Sequence, residues 1–204
     1  IIAADKAIQQ AVKKFGEIEV ILSDKAHPQE LDLYGMKIIF DDSFDPKSRK
    51  AMIGCVDDAY RILKGKKLDW LWYGILRVGA KETIGIRGTP GAWYMPHNDQ
   101  LGVEKFRNAA RNLAHEVGHR FWFKYMTETE RAEFASKFGD VAAVTEYGKT
   151  DPEEDFAEVF AEYVDGQDLT QPQIERFRKF LDSHKKRHSS VVATLRALIS
   201  STTP

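Results

Sequence analysis

Apolar residues recur at three- and four-residue intervals through Phe106, Ala110, Leu113, Val117, Phe121 and Tyr125, which predicts one helix from about Glu104 to Met126. A second stripe, Phe156, Val159, Phe160, Tyr163 and Val164, predicts a helix opening at Asp151, a good N-cap followed by Pro152 in the first helical position. Similar patterns predict helices over Asp5 to Phe15, Pro46 to Lys64, Glu128 to Phe138, Pro172 to His184 and Ser190 to Ile199. Ahead of the first stripe, Trp70 to Val78, Thr83 to Arg87 and Ala92 to Met95 are rich in aromatic and β-branched residues and separated by Gly or Pro. They predict a small antiparallel-rich sheet followed by a helical half, an α+β fold. Gly139 to Thr150 is expected to be a loop between helices, and no repeat or low-complexity tract interrupts the chain.

The polar side of the first stripe carries His115-Glu116-Val117-Gly118-His119. On a helix the two imidazoles lie about 40° apart, one turn from each other, and face away from Leu113 and Val117. Both can reach a single ion, with Glu116 beside them to handle the proton of a water, which is the zinc-peptidase signature. Gly118 is costly inside a helix, so its presence predicts that another backbone passes close by.

A catalytic zinc site usually takes three protein ligands. The spacing that supplies a third histidine six residues after the second fails, because that position is Tyr125. The ligand is expected to be a downstream carboxylate. On the second predicted helix Glu154, Glu158, Ala161 and Asp165 share the polar side, flanked by Ala157, and small residues there permit close packing on the histidine helix. Glu154 and Glu158 stand four residues apart, a spacing by which one can bind metal while the other orients a ligand imidazole. Glu154 could instead complete a capping box with Asp151, and Glu158 could belong to a solvated face. Glu146 and Asp140 are weaker ligand candidates.

His115-Glu116-Val117-Gly118-His119, Tyr147-Gly148-Lys149-Thr150 and Glu154-Asp155-Phe156-Ala157-Glu158-Val159-Phe160 together resemble the catalytic domain of anthrax lethal factor and its relatives, the secreted Pro-Pro endopeptidases. The resemblance covers roughly Asn108 to Val164. It implies a zincin-like fold of the gluzincin type, Glu154 as third zinc ligand, Glu158 as the partner of a ligand histidine, and Tyr147 as hydrogen-bond donor to the oxyanion. Small metallopeptidase-like domains encoded by bacteriophages look similar too, so secreted and phage-associated settings are both implied.

With 204 residues and 43% hydrophobic content the chain can bury a substantial core. Residues 1–45 read as an N-terminal helical and strand segment, within the same domain or as a small subdomain, and 46–204 as the zincin-like catalytic domain. Thirty basic residues balance 31 acidic ones, so no nucleic-acid partner is expected, and no apolar run spans a bilayer. The opening Ile1-Ile2-Ala3-Ala4-Asp5-Lys6 has neither an initiator Met nor a signal-peptide pattern and reads as a fragment or processed form. Cys55 is the one cysteine and reads as a core residue. His184 and His188, beside Lys185-Lys186-Arg187, read as an exposed helix end, and His97 as a solvated loop residue.

The expected activity is therefore hydrolysis of a peptide or protein substrate by a Zn2+-dependent endopeptidase. His115, His119 and Glu154 would hold the ion, Glu116 would be the general base, and the strand at Ala92 to Met95 would pair with extended substrate. The competing expectation is a non-enzymatic zincin-fold module of a phage particle or toxin assembly, with metal serving stability alone.

Overall fold

The computed structural model describes residues 30–41, 44–79, 91–104, 108–166 and 169–201. The helix expected over Asp5 to Phe15 and the strand over Thr83 to Arg87 lie outside the described residues. A hairpin opens the described chain: β1 (Glu30–Leu33) and β2 (Met36–Phe40) turn through Tyr34 and Gly35, both at positive φ, with Gly35 N–H donating to Asp32 Oδ1. Two consecutive left-handed residues give the turn a twist that suits a hairpin. Alternation sends Leu33, Met36, Ile38 and Phe40 into the core.

Helix α1 (Pro46–Gly65) follows, with Asp45 accepting from the N–H groups of Lys47 and Ser48. The chain then makes a short 3-10 turn at Asp69–Leu71 and enters β3 (Gly74–Val78), so the strand expected from Trp70 begins four residues later. Strands β4 (Ala92–Met95) and β5 (Gln100–Val103) complete the sheet in the order β1-β2-β3-β5-β4. The sheet is mixed rather than antiparallel-rich: β2 with β3 and β3 with β5 run parallel, while β1 with β2 and β4 with β5 run antiparallel. The β2–β3 pair is parallel because α1 carries the chain back, so that β3 starts at the same end as β2.

Helix α2 (Ala109–Arg120) packs on β4, β5 and α1. The helix expected from Glu104 to Met126 is shorter in the structure, because a π-helical turn at Phe121–Tyr125 takes over and Met126 turns extended, its N–H reaching back to Phe121 O. Helix α3 (Glu128–Ala135) starts with a reciprocal Thr127–Glu130 capping box. Helix α4 (Pro152–Asp165) lies against α2, and α5 (Gln171–Ser201) is one continuous helix, since nothing between His184 and Ser190 breaks it. Phe121, Phe134, Phe156, Phe160 and Phe177 form a buried aromatic cluster joining these helices.

An ion pair sits under that cluster. Arg176 Nη1 lies 2.7 Å from Asp155 Oδ2, both side chains are buried, and the guanidinium is 4.5 Å from the Phe134 ring. Burial pushes the Asp155 carboxyl up, and Arg176 opposes that shift. Losing one partner strands a buried charge, whereas losing both does not. Asp155→Ala or Arg176→Met should each lower stability by about 3–5 kcal/mol, and an apolar double replacement by much less. Urea unfolding of the three variants measures this, and additive losses would overturn it.

Candidate metal centre

Asn108, in a left-handed conformation, precedes α2, and the helix runs without interruption to His119. Leu113 and Val117 are fully buried on the sheet side, while the ring nitrogens of His115 and His119 turn toward α4. The approach of α4 depends on Gly118: a Cβ there would lie 3.0 Å from Ala157 Cα and 3.2 Å from Phe160 Cβ. Ala157 and Ala161 are fully buried on the facing helix, as the small residues among the carboxylates predict.

Asp151 caps α4 by accepting from the N–H groups of Glu153 and Glu154, both at 3.0 Å. The Glu154 side chain does not return to the cap. Its Oε2 lies 3.1 Å from His115 Nε2 and 3.2 Å from His119 Nε2, and the two imidazole nitrogens are 3.0 Å apart. Among the described residues these three side chains form a group able to hold a metal ion. The edges of this triangle are close to the ~3.3 Å edge of a tetrahedron built on zinc bonds of ~2.0 Å. Three Lewis bases pointed at one spot suit a cation better than one another, since only a shared proton can relieve lone pairs at such distances.

Behind the triangle, His115 Nδ1 lies 2.8 Å from Glu158 Oε1. Glu158 Oε2 accepts from Arg111 Nη2 at 2.7 Å, and Arg111 also donates to Glu162. The chain His115–Glu158–Arg111–Glu162 fixes the ring orientation and presents Nε2 to the centre. Arg111 and Glu162 were not among the residues singled out from sequence. Their signal is available in spacing: Arg111 precedes His115 by four residues, and Glu162 follows Glu158 by four.

Burial works against a proton on His115, but the Glu154 and Glu158 carboxylates outweigh it and hold the imidazole up at about 9. Burial also opposes charge on Glu158, where His115 and Arg111 prevail and bring the carboxyl down to about 2. Glu154 is held well below the usual carboxylate range by His115, His119 and Tyr147 against the same opposition. Glu116 differs: it is buried, forms no hydrogen bond with another described residue, and burial pushes its carboxyl up.

Tyr147 sits in a 3-10 turn (Tyr147–Lys149) that packs on α4, with its carbonyl accepting from the Thr150 hydroxyl. Its ring is more than half exposed, 6.0 Å from that of His115, and its hydroxyl donates to Glu154 Oε1 at 2.9 Å. Phe123, also exposed, continues the histidine row by one turn, stacking 6.4 Å from His119 and 6.3 Å from Tyr94 of β4.

The other candidates fall elsewhere. Glu146 is exposed and paired with Lys149, and Asp140 and His97 are exposed outside the triangle. Cys55 packs against the core, with burial pushing its thiol up. His184 and His188 are not an exposed helix end: His184 is buried against Phe121 and 3.3 Å from Glu130, and His188 is half-buried on Trp70. The long α5 continues past His184 and lays that ring against Phe121 of the π-helical turn. Among the described residues no helix is long and apolar enough to cross a membrane. The chain matches no protein-family model, and no curated protein aligns with it significantly.

Gly118→Ala tests the packing on which the triangle rests. Overpacking typically costs about 1–3 kcal/mol, against a helix-propensity gain of about 1 kcal/mol, so the variant should unfold at lower urea concentration. A higher midpoint would show that α4 does not need the gap.

Proposed function

We propose that the protein is a zinc-dependent endopeptidase of the gluzincin type, similar in chemistry to the lethal factor catalytic domain and the Pro-Pro endopeptidases. The observation that carries this reading is the convergence of His115, His119 and Glu154, with an unpartnered, buried Glu116 carboxylate on the same helix. A purely structural metal site has no use for that fourth group. Zinc held by this set supplies Lewis acidity, lowering the pKa of water toward about 7 and polarising a carbonyl.

The remaining work falls to side chains of the chain itself. Glu116 takes the proton of the attacking water and delivers it to the nitrogen of the departing amine; the same burial that raises its proton affinity keeps competing water away. Glu158, braced by Arg111, keeps His115 in one tautomer. Tyr147 exchanges its bond to Glu154 for one to the substrate oxyanion. Strand β4, last in the sheet order, offers backbone groups to an extended peptide, and the exposed Phe123 ring gives the cleft an apolar wall.

Metal analysis and a peptide-library digest test the reading together. The native chain should hold one zinc and cleave peptides; His115→Ala, His119→Ala and Glu154→Ala should lose the zinc. Glu116→Gln should keep zinc and fold while losing nearly all turnover, because an amide cannot accept the proton. Zinc without any cleavage by the native chain would transfer the assignment to a non-enzymatic metal-stabilised module.

Tyr147→Phe separates transition-state stabilisation from packing. The hydroxyl acts mainly on the oxyanion, so kcat and kcat/KM should fall together by about a hundredfold while KM and zinc content stay nearly unchanged. Undiminished kcat would remove Tyr147 from the catalytic set.

A further inference from the structure

A cavity of about 500 Å3 shares no lining residue with the histidine cleft; Lys67, Asp69, Trp70, Lys185, His188 and Ser189 line it. It draws on two segments far apart in sequence, the connection after α1 and the middle of α5. Most of the polar groups in the lining can donate. Two ammonium groups and one carboxylate line it, and the Ser189 hydroxyl adds another donor. His188 stacks flat on Trp70 with ring centroids 4.8 Å apart, so the aromatic floor is rigid.

Lys66, Lys67 and Lys185 form no ion pair with another described residue, and the Lys66 and Lys185 ammonium groups both stand over the Tyr163 ring, at 4.8 and 5.6 Å. Burial pushes the Lys185 ammonium pKa down; Asp182 opposes this, and the nearby cations Arg178 and Lys67 add to it. Bringing like charges together over a half-buried ring is unfavourable unless something of opposite charge comes between them.

The end of α1 fixes the backbone of Lys67 beside the cavity. Helix α1 ends in a Schellman motif, in which Leu68 N–H reaches Leu63 O and Lys67 N–H reaches Lys64 O. Lys67 occupies the left-handed position of that motif with φ 59°, where glycine is the unstrained residue. Helix α4 puts Gly166 at its own left-handed end. The chain thus places a left-handed lysine at the cavity, where glycine can replace it at no backbone cost.

We propose that this cavity binds a phosphate group, held between the Lys67 and Lys185 ammonium groups with the Ser189 hydroxyl as a further donor. Phosphate is the fitting class because it presents several acceptor oxygens and enough negative charge to satisfy both lysines at once. Asp69 at the rim disfavours a ligand that is anionic on every side and leaves room for a donor on the organic part of a phosphate monoester.

Calorimetric titration of the full chain with inorganic phosphate and with phenyl phosphate, at ionic strength matched with sodium chloride, tests the site. One saturable event per chain is expected. Phosphate affinity should fall about tenfold in Lys67→Gly and in Lys185→Gln, the loss of one charge-assisted hydrogen bond each. Lys67→Gly should melt no lower than the native chain without phosphate, since glycine relieves the strain, and should lose most of the phosphate-induced rise in melting temperature. Tighter binding of phenyl phosphate supports a phosphorylated small molecule as occupant, and tighter binding of inorganic phosphate supports the free ion. The proposal is overturned if neither ligand gives a saturable signal, if chloride at equal ionic strength shifts melting equally, or if both variants bind like the native chain.

Discussion

Helix α2 can bring His115 and His119 within 3.2 Å of Glu154 because Gly118 offers no side chain at the point where Ala157 crosses it. The triangle of His115, His119 and Glu154 depends on that contact. With a larger residue at either position, the helices would stand apart by about the thickness of a methyl group, and three atoms meant for one ion would no longer share a centre. The contact also explains why α4 can carry carboxylates on its inner face. They are drawn in by imidazoles and by Arg111, whose charge-assisted hydrogen bonds offset the loss of water.

Two layers of polar contacts hold the histidine helix in place. On the α4 side, Glu158 and Arg111 fix the His115 ring. On the sheet side, Arg120 is completely buried and donates to Asp99 Oδ1, to Asp99 O, and to the carbonyls of Leu71 and Tyr73. Asp99 itself sits at positive φ in the β4–β5 turn and also accepts from Tyr94 and Lys124. One arginine directly after a candidate ligand therefore ties the end of α2 to the turn that follows the edge strand. Position of the histidines and position of β4 are set by the same side chain.

Much of this was legible because periodicity reports faces. The stripes through Leu113, Val117 and Phe121 and through Phe156, Val159 and Phe160 are the buried faces of α2 and α4, and the gap implied by Gly118 is where the helices cross. What escaped has physical causes. The β1–β2 hairpin turns on Tyr34-Gly35, a weaker signal than Asn-Gly, and β5 is four residues long with Gly102 covered by the Trp93 ring. Strand direction is not written in a strand's own pattern, so the parallel pairings of β3 with β2 and β5 were out of reach. The π-helical turn ended α2 early although Tyr125 keeps the apolar spacing. Arg120 carries no local signal, because its acceptors lie 21 to 49 residues away.

The Arg120 contacts also bear on how the chain reaches its fold. Its acceptors come from the connection before β3 and from the β4–β5 turn, so the guanidinium has nowhere to go until α2 and those loops have met. Stripping it of water earlier carries a penalty of several kcal/mol. A form in which α2 has docked before the sheet end is in place would bury that guanidinium without its acceptors. Such a partly assembled form is poorly stable against reopening, which pushes this half of the molecule toward all-or-none folding.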